Sequence, residues 1–351
     1  MAKMDLGNGR VTPIVLKLAL PAMLAQFINV LYSIIDRLYI SSLKDIGGLA
    51  LAGIGIVAPI CTLITSFSYL IGLGGAPLMA MSLGEGNKEN AKKILSNSFL
   101  ALLILAFIVP LLVLCCYEPL LYAFGASVNT YIYAKQYLLF YLIGAPFALM
   151  AMGLNQFIIS QGFSNKGMAT MLIGAVVNII LDPIFIYGCN MGVVGAALAT
   201  SISQILSFIY VFYILLSRHT GVKITFGGYK ASILFKISRL GLSPFLISMT
   251  DSLISIVLNA SIKLYAKEEV DTYITVATLT NSFFQLFSMP LLGISGGTGS
   301  VLSFNYGARN TERVRRSERS ILILALIFTT FSTIVSIFAA DPVVSIFTKD
   351  A

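Results

Sequence analysis

Hydrophobic residues along this chain form nine long runs that are separated by short polar connections. Each run has about 20 residues or more, which is the length that a helix needs to cross the hydrocarbon core of a bilayer. The runs cover residues 14–40, 49–81, 94–116, 131–160, 168–187, 193–216, 233–264, 273–303 and 321–339. The pattern therefore predicts an all-α integral membrane protein with about nine transmembrane helices, of which the longest tilt or project beyond the membrane.

Prolines interrupt many of these runs. A proline removes one hydrogen bond of a helix and permits a bend at that point. In a membrane such breaks persist where neighbouring helices or cavity water satisfy the freed carbonyl groups. The prolines concerned are Pro21, Pro59, Pro77, Pro146, Pro244 and Pro290. We therefore expect bent helices.

The composition supports a chain that is dissolved in lipid. Hydrophobic residues make up 57% of the 351 residues and charged residues 11%, whereas soluble proteins carry roughly 25% charged residues. The first run is too long for the hydrophobic part of a signal peptide, so we interpret it as a spanning helix. The four cysteines lie in or beside apolar runs without metal-ligand spacing, and we interpret them as small hydrophobic residues.

The basic residues lie mainly on alternate connections between the runs. They precede the first run and follow the second, fourth, sixth and eighth runs. These residues are Lys3, Arg10, Lys17, Lys88, Lys92, Lys93, Lys166, Arg218, Lys223, Lys230, Lys236, Arg239, Arg309, Arg313, Arg315, Arg316 and Arg319. Cytoplasmic loops of membrane proteins carry such an excess, so the N-terminus is predicted to be cytoplasmic. The basic clusters are interpreted as topology signals, and no nucleic-acid partner is expected.

Two stretches of the sequence resemble each other. GLGGAPLMAMSLGEGNKENAKK at 72–93 resembles GISGGTGSVLSFNYGARNTERV at 293–314. Pro21 corresponds to Pro244 at nearly the same displacement, so the similarity keeps its order over three helices. A repeat of six helices gives both copies the same orientation. This predicts two helical lobes related by a pseudo-two-fold axis along the membrane normal.

The repeat divides the chain into two lobes of unequal length. Residues 1–218 are predicted to form an N-lobe of six transmembrane helices, residues 219–239 a cytoplasmic linker, and residues 240–351 an incomplete C-lobe of three transmembrane helices. The last residue corresponds to about Val128 of the first copy. A second copy as long as the first would need about 90 further residues.

Three acidic residues fall inside the apolar runs: Asp36, Asp182 and Asp251. A charged side chain at the middle of a bilayer costs at least about 2.5–3.5 kcal/mol, so such a residue is a candidate functional site. Asn178 lies four residues before Asp182 and therefore on the same helix face. Helix packing needs no carboxylate, because Asn or Ser would serve, and we interpret Asp36 and Asp182 as functional.

Polar residues form stripes on three helices of the N-lobe. In each stripe they recur every three or four residues, which places them on one helix face. The stripes are Gln26, Asn29, Tyr32, Ser33 and Asp36; Gly174, Asn178 and Asp182; and Thr200, Ser203, Gln204 and Ser207. Stripes that face each other can satisfy their hydrogen bonds within the bundle. For Ser203, Gln204 and Ser207 we favour helix packing over a functional role.

The stripes predict a cation site built from Asp36, Asn178, Asp182 and Thr200. Two acids close together in an apolar bundle repel each other. Either one of them holds a proton, or both bind a hard cation such as Na⁺ together with other oxygen ligands. A site that alternates between occupied and empty is what an ion-coupled transporter requires. No cofactor is expected beyond the coupling ion, H⁺ or Na⁺.

The repeat and one proline refine this hypothesis. Asp36 corresponds to Asn259 at the displacement that relates Pro21 to Pro244, so the site is predicted to be confined to the first lobe. Pro21 is a candidate hinge that would let the first helix bend when Asp36 changes its charge. Asp251 has Ile28 at the matched position, and it is either a second ion-linked site or a wall of a water-filled cavity.

Other functional classes lack their signatures in this sequence. There is no G-x-x-x-x-G-K-[ST] motif, so no ATP-driven pump is visible. No nucleophile lies in a pattern with a base, and we do not expect an enzyme.

Several motifs resemble the multidrug and toxic compound extrusion (MATE) family. They are LYSIIDRLYIS at 31–41, the glycine-rich end of the second helix, NIILDPIFIY at 178–187 and MGVVGAALATSISQ at 191–204, in that order. The resemblance extends over nearly the whole chain. Its pattern is most similar to the bacterial DinF-like branch (DNA-damage-inducible F) and related Gram-positive drug exporters. It departs at the end, where the last three helices of the family have no counterpart.

The resemblance implies twelve helices in two six-helix lobes, with drug efflux driven by inward movement of Na⁺ or H⁺. The family's cation site would map to Asp36, Asn178, Asp182 and Thr200, and the kink of its first helix to Pro21. We therefore expect a monomeric, multi-pass antiporter of the cell membrane that exports small organic, cationic or amphipathic compounds. The alternatives are a lipid-linked oligosaccharide flippase of the same superfamily and a channel-like helical bundle without exchange.

Overall fold

The computed structural model describes residues 4–44, 46–217, 220–266 and 269–347; at 271, 275, 279, 282 and 339–347 it describes the backbone only. Within these ranges the chain is helical and contains no β-strand. The helices are α1 (Val11–Ser41), α2 (Gly47–Gly84), α3 (Lys88–Cys115), α4 (Tyr117–Ala123), α5 (Tyr131–Ile159), α6 (Ser164–Pro183), α7 (Gly192–Leu216), α8 (Ala231–Tyr265), α9 (Val270–Gly307) and α10 (Thr311–Phe347). Each of the nine predicted runs corresponds to one long helix, and only the short α4 has no counterpart.

Eight of these helices are long and apolar enough to cross a membrane, counted over the described residues. They are α1, α2, α3, α5, α6 with the turn that follows it, α7, α8 and α10. The remaining long helix, α9, occupies the eighth predicted run. The prediction of an all-α, multi-pass membrane protein is thus confirmed. We refer to α1–α7 as the N-lobe and to α8–α10 as the C-lobe; the predicted lobe boundary at residues 218–219 lies outside the described ranges.

Two helices, α3 and α10, begin well before their apolar runs. α3 begins at Lys88, where the side chain of Asn87 accepts a hydrogen bond of 2.9 Å from the Asn90 amide. Before α10 the side chain of Asn310 accepts one of 3.1 Å from the Arg313 amide. Both are N-caps that start a helix in polar sequence. The sequence placed these helix starts too far along the chain because hydrophobic residues mark only the part of a helix that lies in the membrane. The N-caps, which are polar, set where each helix begins.

The helix that carries Asp182 ends in an unusual way. α6 stops at Pro183, and the chain continues as one π-helical turn, Ile184–Gly188. Proline lacks the amide proton that a regular helix would use at this point, which weakens the α-helical register. Single π-turns inside helical segments are often found at functional sites.

Glycines let the two lobes approach along α2 and α8. A Cβ atom at Gly241 would lie 1.7 Å from the Leu70 carbonyl oxygen, and one at Gly74 would lie 2.2 Å from the Ile237 carbonyl oxygen. Neither position can accommodate a larger residue without a shift of backbone. Close approach through small residues is a common way to pack membrane helices, and here it sets the distance between the lobes.

A second close crossing joins α2 to α9. A Cβ atom at Gly84 would lie 2.0 Å from the Phe304 carbonyl oxygen, and one at Gly307 would lie 2.1 Å from the Met81 carbonyl oxygen. Each helix therefore presents a glycine near its C-terminal end to the backbone of the other. This reciprocal contact agrees with the predicted pseudo-two-fold relation between the lobes.

The order of packing inside the N-lobe places the polar stripes together. α5 is the central helix and packs against α2, α3 and α7, while α6 packs against both α1 and α7. The three helices with polar stripes, α1, α6 and α7, are thus neighbours.

Alanine at Gly241 should lower the stability of the protein, because its Cβ atom would overlap the backbone of α2. Overpacking of this kind costs about 1–3 kcal/mol, so the midpoint of thermal unfolding in detergent should fall. Gly299 on α9 is the matched control, since nothing lies within 4 Å of a Cβ atom there. Gly299→Ala should leave the midpoint unchanged or raise it. Equal midpoints for the two variants would contradict the proposed close crossing.

Candidate cation site

Three helices bring four polar side chains together inside the N-lobe. Asp36 is on α1, Asn178 and Asp182 are on α6, and Thr200 is on α7. All four are buried, with exposed fractions of 6% for Asp36, 0% for Asn178 and Asp182, and 7% for Thr200. The residues that the sequence assigned to one site are therefore neighbours in the bundle interior.

Asn178 joins the two walls of this cluster. Its amide nitrogen donates to Asp182 Oδ1 at 3.1 Å and lies 3.4 Å from Thr200 Oγ1. The amide protons of Asn178 are thus directed at the neighbouring side chains, and other oxygen atoms of the cluster are left without a donor. Asp36 Oδ1, Asn178 Oδ1 and Asp182 Oδ2 are buried and have no hydrogen-bond partner among the described residues. Buried polar atoms are nearly always paired, so three unpaired oxygens in one cluster need a chemical explanation.

Two carboxyl groups share this small volume. Asp36 and Asp182 lie close enough for their negative charges to repel each other, and neither forms an ion pair with a described Lys or Arg side chain. The phenols of Tyr32 and Tyr137 lie close enough to Asp36 to interact with its charge, and Tyr137 also lies beside Thr200. An unpaired buried charge is costly, so a proton or a bound cation would stabilise the cluster.

The donor set consists of oxygen atoms: two carboxylates, one amide and one hydroxyl. Hard cations such as Na⁺ prefer oxygen ligands, and a carboxylate pair can equally share a proton. The arrangement is chemically suited to either ion.

Sequence reasoning missed Arg37, the residue next to Asp36. Its guanidinium is half-buried and donates to the Thr278 carbonyl oxygen at 3.2 Å. Because Thr278 is on α9, this hydrogen bond joins the helix of the cation cluster to the other lobe. A basic residue beside an acid in an apolar run was the available signal, but its partner depends on how the lobes pack.

The serines of the α7 stripe serve packing, as the sequence favoured. Ser203 donates to the Thr200 carbonyl of its own helix at 2.7 Å. Ser207 donates to the Thr170 carbonyl of α6 at 3.3 Å, and a Cβ atom at Gly174 would lie 2.7 Å from the Ser207 hydroxyl. These contacts hold α6 against α7 and thereby position Asn178.

Pro21 lies inside α1, which continues from Val11 to Ser41. The Leu18 carbonyl, one turn before the proline, accepts a hydrogen bond of 2.9 Å from Ser164 at the start of α6. α6 therefore contacts α1 both beside Pro21 and, at its other end, near Asp36.

Two further predicted residues lie outside the cluster. Asp251 is exposed on α8 and lines a groove of about 530 Å³ beside Arg239, Ser243 and Thr250. Asn259, which corresponds to Asp36 in the repeat, is buried, and its amide lies 3.5 Å from the Gly55 carbonyl oxygen of α2. The C-lobe position thus packs against the N-lobe.

Comparison with known proteins gives concordant results. The MatE family model matches residues 21–184 and, a second time, residues 244–351. The multidrug export protein MepA of Staphylococcus saprophyticus is 27% identical over 336 residues, which cover 92% of this chain and 72% of the relative. MepA of Staphylococcus aureus (strain NCTC 8325 / PS 47) is 26% identical, with 92% and 72% covered. The chain is therefore shorter than these relatives.

Solved structures show the same architecture. The MATE multidrug transporter DinF-BH, determined as a complex with a ligand, superposes with a TM-score of 0.91 at 29% identity, covering 99% of this chain and 77% of that one. An outward-facing MATE family transporter of the MOP superfamily superposes with a TM-score of 0.86 at 27% identity, covering 99% and 77%. Because the family model matches more than half of the chain, in both lobes, this protein belongs to the MATE family.

Proposed function

We propose that this protein is a secondary multidrug efflux antiporter, which exports small organic compounds, cationic or amphipathic, in exchange for H⁺ or Na⁺. The observation that carries the proposal is the cluster of three buried, unpaired oxygens on Asp36, Asn178 and Asp182. Relatives named multidrug export proteins and a ligand complex of a MATE multidrug transporter support the substrate class.

The proposed exchange follows from the electrostatics of the cluster. With both carboxylates charged, Asp36 and Asp182 repel each other in a buried environment. Binding of a proton or Na⁺ relieves this repulsion, and release restores it. The two states therefore differ in the preferred distance between α1 and α6. A difference of this kind is what lets ion binding shift a conformational equilibrium.

Arg37 connects the helix of the cluster to the other lobe. It follows Asp36 on α1 and is bonded to the Thr278 carbonyl of α9. A movement of α1 that accompanies ion binding would strain or release this bond. We therefore propose that Arg37 helps to transmit the state of the ion site to the contact between the lobes.

The proposed organisation has an N-lobe at 1–218, a cytoplasmic linker at 219–239 and a C-lobe from residue 240, with the N-terminus in the cytoplasm of a monomeric cell-membrane protein. The ion site belongs to the N-lobe alone, because Asn259 stands at the equivalent position of the C-lobe and packs against α2. An amide carries no charge that a cation could neutralise.

Proteoliposomes containing the protein and a fluorescent cationic dye should export the dye only under an imposed ion gradient. A pH gradient and a Na⁺ gradient applied separately identify the coupling ion. The antiport mechanism requires that one of them drives dye movement against the dye's own gradient. Equally fast flux without any gradient would favour the channel-like alternative and contradict this proposal.

Asp36→Asn should reduce gradient-driven efflux by at least about tenfold, because an amide can neither hold the proton nor supply the charge. Thermal unfolding should show that the variant remains folded, since the substitution conserves shape. Glu118→Gln is the control, with the same loss of a carboxylate at an exposed position outside the cluster. Retained coupling in Asp36→Asn would remove Asp36 from the mechanism.

Pro21→Ala tests the proposed hinge in α1. Alanine restores the missing backbone hydrogen bond and stiffens the helix, so the rate of efflux should fall several-fold while dye binding persists. The measurement compares initial efflux rates at several pH values. If the rate and its pH dependence match those of the unmodified protein, the hinge role is wrong.

A further inference from the structure

The C-lobe grips the segment that precedes the first helix of the N-lobe. The Arg313 guanidinium of α10 donates to the Gly9 carbonyl at 2.7 Å, to the Leu6 carbonyl at 3.3 Å and to Asn305 Oδ1 at 2.9 Å. Asn305 of α9 itself donates to the Leu6 carbonyl at 3.0 Å. Leu6 and Gly9 are thus held by α9 and α10, although their segment leads directly into α1.

The N-lobe grips the segment that precedes the first helix of the C-lobe. Asn97 of α3 accepts from the Lys230 amide at 2.8 Å and donates to the Gly228 carbonyl at 3.3 Å. Its neighbour Ser96 donates to the Gly227 carbonyl at 3.0 Å. Residues 227–230 lead directly into α8. Each lobe therefore holds the start of the other.

The gripping helices occupy equivalent positions in the repeat. The N-cap residues of α3 and α10, Asn87 and Asn310, are related by the same displacement as Pro21 and Pro244. That displacement also relates Asn90 to Arg313: the Asn90 side chain donates to Ser82 of α2 at 2.8 Å, whereas Arg313 donates to its partner on α9. The helices that hold the two segments, α3 and α10, are therefore equivalent in the repeat. The side chains that make the contacts are not equivalent, because Asn97 corresponds to Ser320 and Arg313 to Asn90.

Apolar side chains anchor both segments beneath the polar contacts. Leu6 is buried in a cluster with Ile14, Leu18 and Val301. On the other side Val222 and Ile224, which precede the gripped residues, are buried among side chains of the N-lobe. Each segment is a fixed part of the bundle end, and movement of one lobe must act on it.

From this geometry we propose that these two sets of hydrogen bonds form a reciprocal latch, with Arg313 and Asn97 as its positioning residues. The latch holds closed the face of the transporter on which the basic connections lie. The proposal rests on the proposed transport cycle, in which the lobes separate at each face in turn. Opening this face moves α1 away from α10 and α8 away from α3. Both grips must then break.

The chemistry of the latch suits a contact that opens and closes. The gripped groups are mainly backbone carbonyls on exposed glycines, which water can satisfy once they are released. Arg313 is always charged and has five donors in a fixed fork, so one side chain holds several acceptors in one geometry. Loss of Arg313 should therefore favour the open face more than loss of any other single polar residue in the latch.

The test is a distance measurement that needs no transport. Nitroxide labels are attached through Asn165→Cys at the start of α6 and Glu318→Cys on α10, both exposed. The four native cysteines, Cys61, Cys115, Cys116 and Cys189, are replaced by serine. Electron–electron double resonance on the protein in phospholipid nanodiscs then gives the populations of short and long distances across the face.

Arg313→Ala should raise the ratio of long to short distances by about tenfold, as expected for loss of charged hydrogen bonds from one state of a two-state equilibrium. Ser96→Ala should shift the same ratio by a smaller factor in the same direction. Arg316→Ala is the matched control, because it removes the same charge from the same helix but only a surface pair with Glu312. It should leave the distances unchanged.

An unchanged distribution in Arg313→Ala, or an equal shift in Arg316→Ala, would overturn the latch. Arg313→Lys should restore part of the short-distance population, which a merely structural defect would not allow. Absence of gradient-driven efflux in the unmodified protein would instead overturn the proposed function. The two failures are therefore distinguishable.

Discussion

The burial of two carboxyl groups beside each other is the constraint on which this structure depends. Asp36 and Asp182 come from different helices, α1 and α6, and neither forms an ion pair with a Lys or Arg side chain within the described part of the chain, although the charge of Arg37 acts on Asp36. Asn178 donates to one oxygen of Asp182, while one oxygen of each carboxyl group is left without a described partner. In the proposed mechanism an ion or proton in this cluster relieves the repulsion between the two carboxyl groups, and the position of α1 relative to α6 changes when it leaves.

The contacts between the lobes couple a change at the ion cluster to the relative position of the two lobes. Glycines bring α2 within backbone contact of α8 and α9, so these helices cannot shift by small, independent amounts. Arg37 joins the helix of the ion cluster to α9. The segment before α1 is bonded to α10, and the segment before α8 is bonded to α3. Packed interfaces of this kind change between discrete arrangements instead of deforming continuously.

Hydrophobicity and the energetic cost of charge were enough to predict much of this molecule. The apolar runs located all nine long helices. The cost of a buried carboxylate singled out Asp36 and Asp182, and the polar stripes predicted that Asn178 and Thr200 lie beside them, as they do. The polar first turns of α3 and α10 were missed because Asn87 and Asn310 set them. The Arg37–Thr278 bond and the grip of Arg313 on residues 6 and 9 were missed because they join segments that are far apart in the sequence, and no local pattern encodes such a contact.

The most direct test of the account is to count the ions released when a cationic dye binds to the purified protein. A pH electrode in weakly buffered solution and a Na⁺-selective electrode report the two candidate ions. Linkage between the sites predicts release of about one H⁺ or Na⁺ per dye bound, and no release from Asp36→Asn. Dye binding that releases neither ion, with an affinity independent of pH and Na⁺, would contradict the claim that the buried cluster holds an exchangeable cation.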